Sequence, residues 1–249
     1  MSAPMVEMTN IVKRWGGVSA LDGVNFAVHG GEVVALLGDN GAGKSTLIKI
    51  LSGAERPSSG SIKFVGNEVQ LKTQRDAIDL GIETIYQDSA LVEVLSIGRN
   101  LFLGREPTKH VGPFKFLDKK YMSESSGDLL KRVGISKNLD PKTPISALSG
   151  GERQSIAIAR AMFFKSELII LDEPTNNLGL DETRGVLRFL HDLRGRGHAS
   201  ILITHNLHHV FEVADRAVVL RRGRVVGNVL VGDTNIEHLS ALITGETEE

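Results

Sequence analysis

The sequence predicts a doubly wound α/β fold, and three of its features do so. Apolar runs of strand length recur at residues 33–37, 82–86, 168–171 and 200–203 without the alternation of a half-exposed strand, the pattern of strands covered on both faces. Helical periodicity separates them: Val186, Leu187, Leu190 and Leu193 share one face of 184–194, and Leu207, Val210, Phe211 and Ala214 repeat the same spacing. A glycine-rich segment, Gly38-Asp39-Asn40-Gly41-Ala42-Gly43, joins the first run to the helix pattern Leu47-Ile48-Lys49-Ile50-Leu51. Strand, loop and helix in that order make one unit of a sheet with helices on its faces.

The other segments read as additions to that core. Residues 5–12, 24–28 and 61–65 look like short strands around polar turns such as Pro57-Ser58-Ser59-Gly60, which predicts an antiparallel edge sheet. From Asp88 to Leu148 the pattern is mostly helical, with Pro107, Pro113, Pro141 and Pro144 as breakers, and is read as a helical insertion running to roughly residue 164. Residues 217–220 and 224–226 flank Arg221-Arg222-Gly223 as a hairpin with a solvated basic tip. The expected organisation is one domain over 1–249, without internal repeats.

Composition excludes several classes of function. Lys and Arg number 29 against 30 Asp and Glu, so a net charge of −1 leaves no basic excess for nucleic acid. With no cysteine there is neither a disulfide nor a thiolate metal site, which fits a reducing compartment. The N-terminus has no basic and apolar regions of a signal peptide, and no apolar run approaches the ~18 residues of a membrane helix. The expectation is a soluble, cytosolic chain whose membrane role, if any, comes through another subunit.

The segment from Gly38 to Thr46 has the chemistry of a phosphate loop. Gly38, Gly41 and Gly43 let the backbone curl, with Asn40 between them, so that main-chain amides and the helix N-terminus at Lys44, Ser45 and Thr46 face negative charge. Lys44 supplies a point charge for β/γ-phosphates, and the Ser45 hydroxyl suits Mg²⁺. The run 168–171 ends in Asp172, placed to hold Mg²⁺ at the carboxyl end of a strand; Glu173 follows and can orient or deprotonate a water. Leu148-Ser149-Gly150-Gly151-Glu152 opens another helical pattern. It reads either as a second anion site made by Ser149, Gly150 and Gly151 or as a cap in which Ser149 satisfies backbone amides.

With these three segments in this order the chain resembles the nucleotide-binding subunit of an ABC transporter, the Leu-Ser-Gly-Gly-Glu segment being the element that separates that family from other phosphate-loop proteins. The resemblance spans nearly the whole chain. It implies an ABC ATPase fold, a phosphate-loop NTPase core with an antiparallel β subdomain and an inserted helical subdomain. ATP and Mg²⁺ are the implied cofactors. It also implies that Trp15 stacks on adenine, that Gln87 touches Mg²⁺ together with Ser45 and Asp172, and that His205 contacts the γ-phosphate beside catalytic Glu173. The bland alternatives are a half-buried sheet residue for Trp15 and a core histidine for His205. His205, His208 and His209 also have a zinc-like spacing, which is set aside because no further ligand cluster accompanies them.

ATP would lie between the phosphate loop of one subunit and Ser149 to Gly151 of a second copy, or of a paralogous ATPase, arranged head to tail. The further partners implied are integral membrane permease subunits and, indirectly, a periplasmic sugar-binding protein, with the chain peripheral on the inner face of the bacterial plasma membrane. The run Gly81-Ile82-Glu83-Thr84-Ile85-Tyr86-Gln87-Asp88 and the segment Asn100-Leu101-Phe102-Leu103-Gly104-Arg105-Glu106 resemble ATPases of monosaccharide importers, of the single-cassette kind linked to fructose, ribose or xylose. One departure stands out: after Glu173-Pro174-Thr175 the family's usual aspartate is Gly179 here, with Asp181 two positions later. The alternative class is a soluble ABC ATPase without a transporter, such as an iron–sulfur assembly subunit. The interval between Lys44 and Ser149 has no room for the long coiled coil of a chromosome-maintenance ATPase, and Glu173 and His205 speak against a hydrolytically silent subunit.

Overall fold

The apolar runs form strands that are buried because other elements cover them. A computed structural model of the chain describes residues 3–86, 91–132, 139–163, 166–176 and 178–246. In chain order it begins with β1 (Val6–Trp15), β2 (Val18–Val28), β3 (Val33–Leu37), α1 (Lys44–Leu51), β4 (Ser59–Phe64), β5 (Asn67–Val69), α2 (Gln74–Asp79) and β6 (Ile82–Ile85). Next come α3 (Ile97–Leu101), β7 (Thr108–Val111), β8 (Phe114–Leu117), α4 (Lys119–Arg132) and α5 (Gly150–Phe163). The chain continues through β9 (Leu168–Asp172), α6 (Leu180–Gly195), β10 (Ala199–Ile203), α7 (Leu207–Val213), β11 (Arg216–Arg221), β12 (Arg224–Leu230) and α8 (Ile236–Thr244). Two compact units result: Met1–Thr84, Ser166–Pro174 and Leu187–Glu249 make the first, Ile85–Lys165 and Thr175–Val186 the second.

The first unit holds two sheets. Strands in the order β2-β1-β4-β5 form an antiparallel sheet, and β12-β11-β3-β10-β9-β6 form the central one, in which β11, β3, β10 and β9 run parallel. Every residue of β3 and β10 is buried. Along β3 the alternation of side chains serves two cores: Val34 and Leu36 join Leu47, Ile50 and the inner face of the antiparallel sheet, while Ala35 and Leu37 join Val210, Val219 and Leu239. Arg216 ties the start of β11 to the end of β2 and the segment after it, donating to Glu32 Oε1 (2.7 Å) and to the carbonyl of Ala27 (2.7 Å).

The second unit packs α3, α4 and α5 around Ile97, Leu101, Phe102, Met122, Ile145 and Ile156. Asn100 is a fully buried polar anchor there. The side-chain oxygen accepts from Val92 N (2.7 Å), and the amide nitrogen donates to the carbonyls of Val92, Leu95 and Ser96 at 3.0–3.2 Å. A loop is thereby folded onto the helix that follows it, with every polar atom of the buried amide satisfied.

Four sequence expectations change. The first two strands are longer than 5–12 and 24–28, running on to Trp15 and back from Val18; their outer ends leave the core, so burial imposes no alternation there. Ser59 and Gly60 belong to β4, not to a turn, because Ser59 already pairs with Val12. β6 is not covered on both faces: it is the sheet's edge, and Glu83 and Thr84 are half-exposed. The stretch read as mostly helical contains the β7–β8 hairpin, with Gly112 and Pro113 forming its turn rather than breaking a helix.

Candidate active site

The parallel register of β3, β10 and β9 sets three strand ends side by side. Ile203 of β10 lies opposite Leu36 on one side and Asp172 on the other, so the segments that follow, Gly38 onward, Asp172-Glu173 and His205, leave the same edge of the sheet. That edge, outside the carboxyl ends of parallel strands, is where open α/β sheets bind ligands.

Close backbone approach explains the glycines of the loop. A Cβ on Gly38 (φ 144°) would run into the carbonyl of Leu220, and one on Gly43 (φ 110°) would stand 2.8 Å from the carbonyl of Ala20. Gly43 is the N-cap of α1 and provides no side-chain cap, and the first turn carries no acidic residue. The amides of Lys44, Ser45 and Thr46 therefore open the helix without a competing carboxylate. Asn40 donates its amide to Asp39 Oδ1 (2.7 Å), Ala42 donates to the carbonyl of Asp39 (3.1 Å), and Gly41 completes the bend at φ 78°. The Lys44 ammonium folds back over the loop to the carbonyls of Gly38 (2.6 Å) and Asp39 (3.0 Å). Uncapped amides, an ammonium and the Ser45 hydroxyl together fit a polyphosphate with a hard cation.

The acidic edge is built by β9. Burial, and then the neighbouring Glu173 carboxylate, hold the Asp172 carboxyl above its usual range, while Lys44 and Lys49 pull the other way. A divalent cation would relieve both of the raising effects, so this donor fits one. Glu173 has φ 50°, a left-handed conformation that is uncommon for a residue with a side chain. Its amide donates to the carbonyl of Ile203 (2.9 Å), and its Oε2 lies 3.0 Å from His205 Nδ1. Glu173 is sheltered, its side chain 16% exposed, whereas that of His205 is 74% exposed. A sheltered carboxylate paired with an exposed imidazole can hold a water and take its proton.

Trp15 is the last residue of β1, paired with Val18. It is 48% exposed. β2 continues from Val18 to Ala20, which touches Gly43, so this hairpin end stands beside the phosphate loop. Lys13, two residues earlier on the same side of the strand, sits 5.2 Å from the ring centroid and is itself held by Glu55 (2.8 Å). One face of the indole is thus occupied by a cation.

Ser149, Gly150 and Gly151 lie in the second unit, at the start of α5. Here the capping arrangement is present: Ser149 N and Oγ each donate to Glu152 Oε2 (2.9 Å), and Glu152 N donates to Ser149 Oγ (3.3 Å). Glu182, which the sequence did not single out, presses on the same segment. A Cβ on Gly151 would run into its side chain, and one on Gly179 would stand 2.6 Å from its Oε2. The spacing of these residues carries no local signal, so only packing reveals the contact. Gln87 falls outside the described residues.

The hairpin tip is not simply solvated. Gly223 N donates to the carbonyl of Ala42 (2.9 Å), Asp22 N donates to that of Gly223 (2.8 Å), and Arg224 pairs with Asp22 (2.6 Å). The tip is bolted to the phosphate loop, and between them lies a polar cavity of ≈ 380 Å³ lined by residues 39–42, by Arg221 and Arg222, and by 243–245. His205 and His209 have separate partners: His205 faces Glu173, while His209 Nε2 lies 3.2 Å from Asn206 Nδ2, and burial lowers the pKa of His209.

Comparison with known proteins agrees with this geometry. The chain is 45% identical over 240 residues to the xylose/arabinose import ATP-binding protein of Sulfolobus acidocaldarius, covering 96% of this chain and 94% of that one. It is 42% identical over 248 residues to the fructose import ATP-binding protein of Rhizobium meliloti, covering 98% and 95%. Among solved structures, a nucleotide-free ATP-binding cassette from an ABC transporter superposes with a TM-score of 0.81 at 24% identity, covering 97% of this chain and 96% of that one, a likeness of fold. A family profile described as ABC transporter matches residues 21–176, and the chain belongs to that family.

Proposed function

We propose that this chain is the ATP-hydrolysing subunit of an ABC importer for a monosaccharide, working as one nucleotide-binding domain with the helical insertion over roughly 88–164. The observation that carries the ATPase reading is the meeting of the phosphate loop with the Asp172-Glu173 and His205 segments at the ends of β3, β9 and β10. The sugar reading is supported by the import ATP-binding proteins for xylose/arabinose and fructose that the chain resembles over nearly its full length.

The loop amides and Lys44 bind the β/γ-phosphates, and Trp15 offers the free face of its ring to adenine. Ser45, Asp172 and Gln87 would hold Mg²⁺, which when bound offsets charge on the phosphates. Glu173 accepts a proton from water as the water oxygen bonds to the γ-phosphorus and the bond from that phosphorus to the β/γ-bridging oxygen breaks, leaving ADP and phosphate. His205, hydrogen-bonded to Glu173, orients the carboxylate and reaches toward the γ-phosphate. Ser149, Gly150 and Gly151 contact the nucleotide of a second copy or a paralogous ATPase, the Ser149 hydroxyl exchanging its bond to Glu152 for a phosphate oxygen.

The remaining partners are membrane permease subunits and, through them, a sugar-binding protein outside the cell, which places the chain on the cytoplasmic face of the plasma membrane. No helix among the described residues is long and apolar enough to cross a membrane; in the importer reading attachment goes through the permease. The test is purification of this chain from its native membrane, followed by phosphate release in the presence of candidate sugars and their binding protein. A co-purifying permease and sugar-stimulated hydrolysis are expected. A soluble partner alone would move the chain to the assembly-ATPase class.

A further inference from the structure

The most exposed phenylalanines of the described chain share one short hairpin. Phe114 is 67% exposed and Phe116 51%, whereas Phe26, Phe64, Phe102 and Phe189 are buried. The β7–β8 register sets Phe116 opposite Lys109 and Leu117 opposite Thr108. Cross-strand partners share a face and successive residues alternate, so Phe114, Phe116 and Lys109 line one face and Leu117 the other. Leu117 packs against the core of the second unit. The hairpin is therefore fastened by its Leu117 face, and its phenyl face points away, with the two rings edge to face at 6.5 Å. The turn at Gly112 and Pro113 puts Phe114 beside the tip.

Charge accompanies the rings. Between Arg105 and Lys120 the sequence has five Lys or Arg against Glu106 and Asp118, in a chain whose net charge is −1. The phenyl face itself presents Lys109 and no carboxylate among its described residues. Two phenyl groups, each worth roughly 150–250 Å² even when fully buried, fall well short of the ~800 Å² that a stable protein interface takes from each partner. An anionic lipid surface needs no such area: apolar rings enter the boundary between headgroup and acyl chain, and lysines gain from the negative surface potential.

We propose that the β7–β8 hairpin is a membrane-surface contact, in which Phe114 and Phe116 enter the interfacial layer of an anionic bilayer while Lys109 beside them meets lipid phosphates. It rests on the transporter reading only in that a membrane is at hand. The hairpin gives a family member without a membrane-crossing helix among its described residues a direct hold on the bilayer, beside its attachment to a permease.

The experiment is flotation of the full chain with vesicles of phosphatidylcholine alone or mixed with phosphatidylglycerol, for wild type, the Phe114→Ser/Phe116→Ser pair and the Lys109→Glu variant. Phosphate release is measured in parallel on each protein. The expected result is salt-sensitive binding to the anionic vesicles, weaker by about tenfold or more in both variants, with hydrolysis unchanged in each. Equal binding to neutral vesicles, no binding, or unaltered binding by the variants overturns the proposal. So does a phenyl pair variant that loses permease co-purification while wild type ignores vesicles, which would make the face a protein contact. Loss of hydrolysis in wild type would instead count against the ATPase reading and leave the flotation result standing.

Discussion

The strand-end site of the first unit and the glycine segment of the second hold their groups by different means. Asp172, Glu173 and His205 extend from β9 and β10, strands in parallel register inside a doubly covered sheet, so their positions are set by buried ladders. Ser149 to Gly151 sit at a helix terminus satisfied by Glu152 and pressed by Glu182, where the proposed function would exchange polar bonds made on folding for those of a ligand. A rigid sheet suits groups that act on a reacting phosphate, since small displacements cost rate. A self-capped helix end would suit the proposed role, engagement only when a partner's nucleotide arrives.

The comparison breaks first at Glu173. Glu173→Gln is expected to keep ATP bound yet reduce hydrolysis by roughly 10²–10⁴-fold, seen as lost phosphate release with intact nucleotide binding. Rapid turnover would remove Glu173 from the role of base. The second unit can be loosened independently: Asn100→Leu leaves the Val92 amide without its acceptor, takes one of two donors from the carbonyls of Val92, Leu95 and Ser96, and should destabilise by about 2–4 kcal/mol. Urea unfolding would show it, while nucleotide binding at the phosphate loop survives in the folded fraction.

Asp172 sharpens the comparison through pH. Its pKa is raised on folding, so the folded chain holds this proton more tightly than the unfolded one. Stability is then lost as pH rises from the ordinary carboxylate range through the raised value. Asp172→Asn should increase the thermal midpoint of the free protein at neutral pH, with the difference vanishing in acid. The same variant should abolish the stabilisation that Mg²⁺ with ATP gives wild type, and wild type should itself lose that gain as pH falls through the raised pKa. A midpoint unchanged at neutral pH would show that the buried charge costs nothing.

Trp15 carries the smallest effect. Trp15→Ala should weaken nucleotide binding by about 1 kcal/mol, the worth of a stacked ring. Lys13→Met frees the second face of the indole and tests whether the cation fixes the ring. Equal affinity in both variants and wild type would return Trp15 to an ordinary strand residue.

Much of the site was legible because its signals are local. The segment Gly38 to Thr46 is one turn between one strand and one helix, and the runs ending at Leu37, Asp172 and Ile203 are apolar because they are buried on both faces. The hairpin around Arg222 and Gly223 was equally readable. Its docking on Ala42 was not, because the partners lie far apart in the chain and a backbone hydrogen bond leaves no mark on composition. Gly179 shows the same limit: the sequence revealed a missing aspartate, while packing supplies a reason for glycine, since a side chain there would meet Glu182.

By itself the sequence determined the α/β class, the phosphate loop, the acidic strand end and the family resemblance, all properties of contiguous residues with a fixed period or spacing. Only the tertiary structure decided that His205 meets Glu173, that Lys13 covers one face of Trp15, that Ser149 is spoken for by Glu152, and that the insertion carries a hairpin turned phenyl side out. Those outcomes depend on which surfaces the sheet register and helix packing bring together, and short-range periodicity does not encode that.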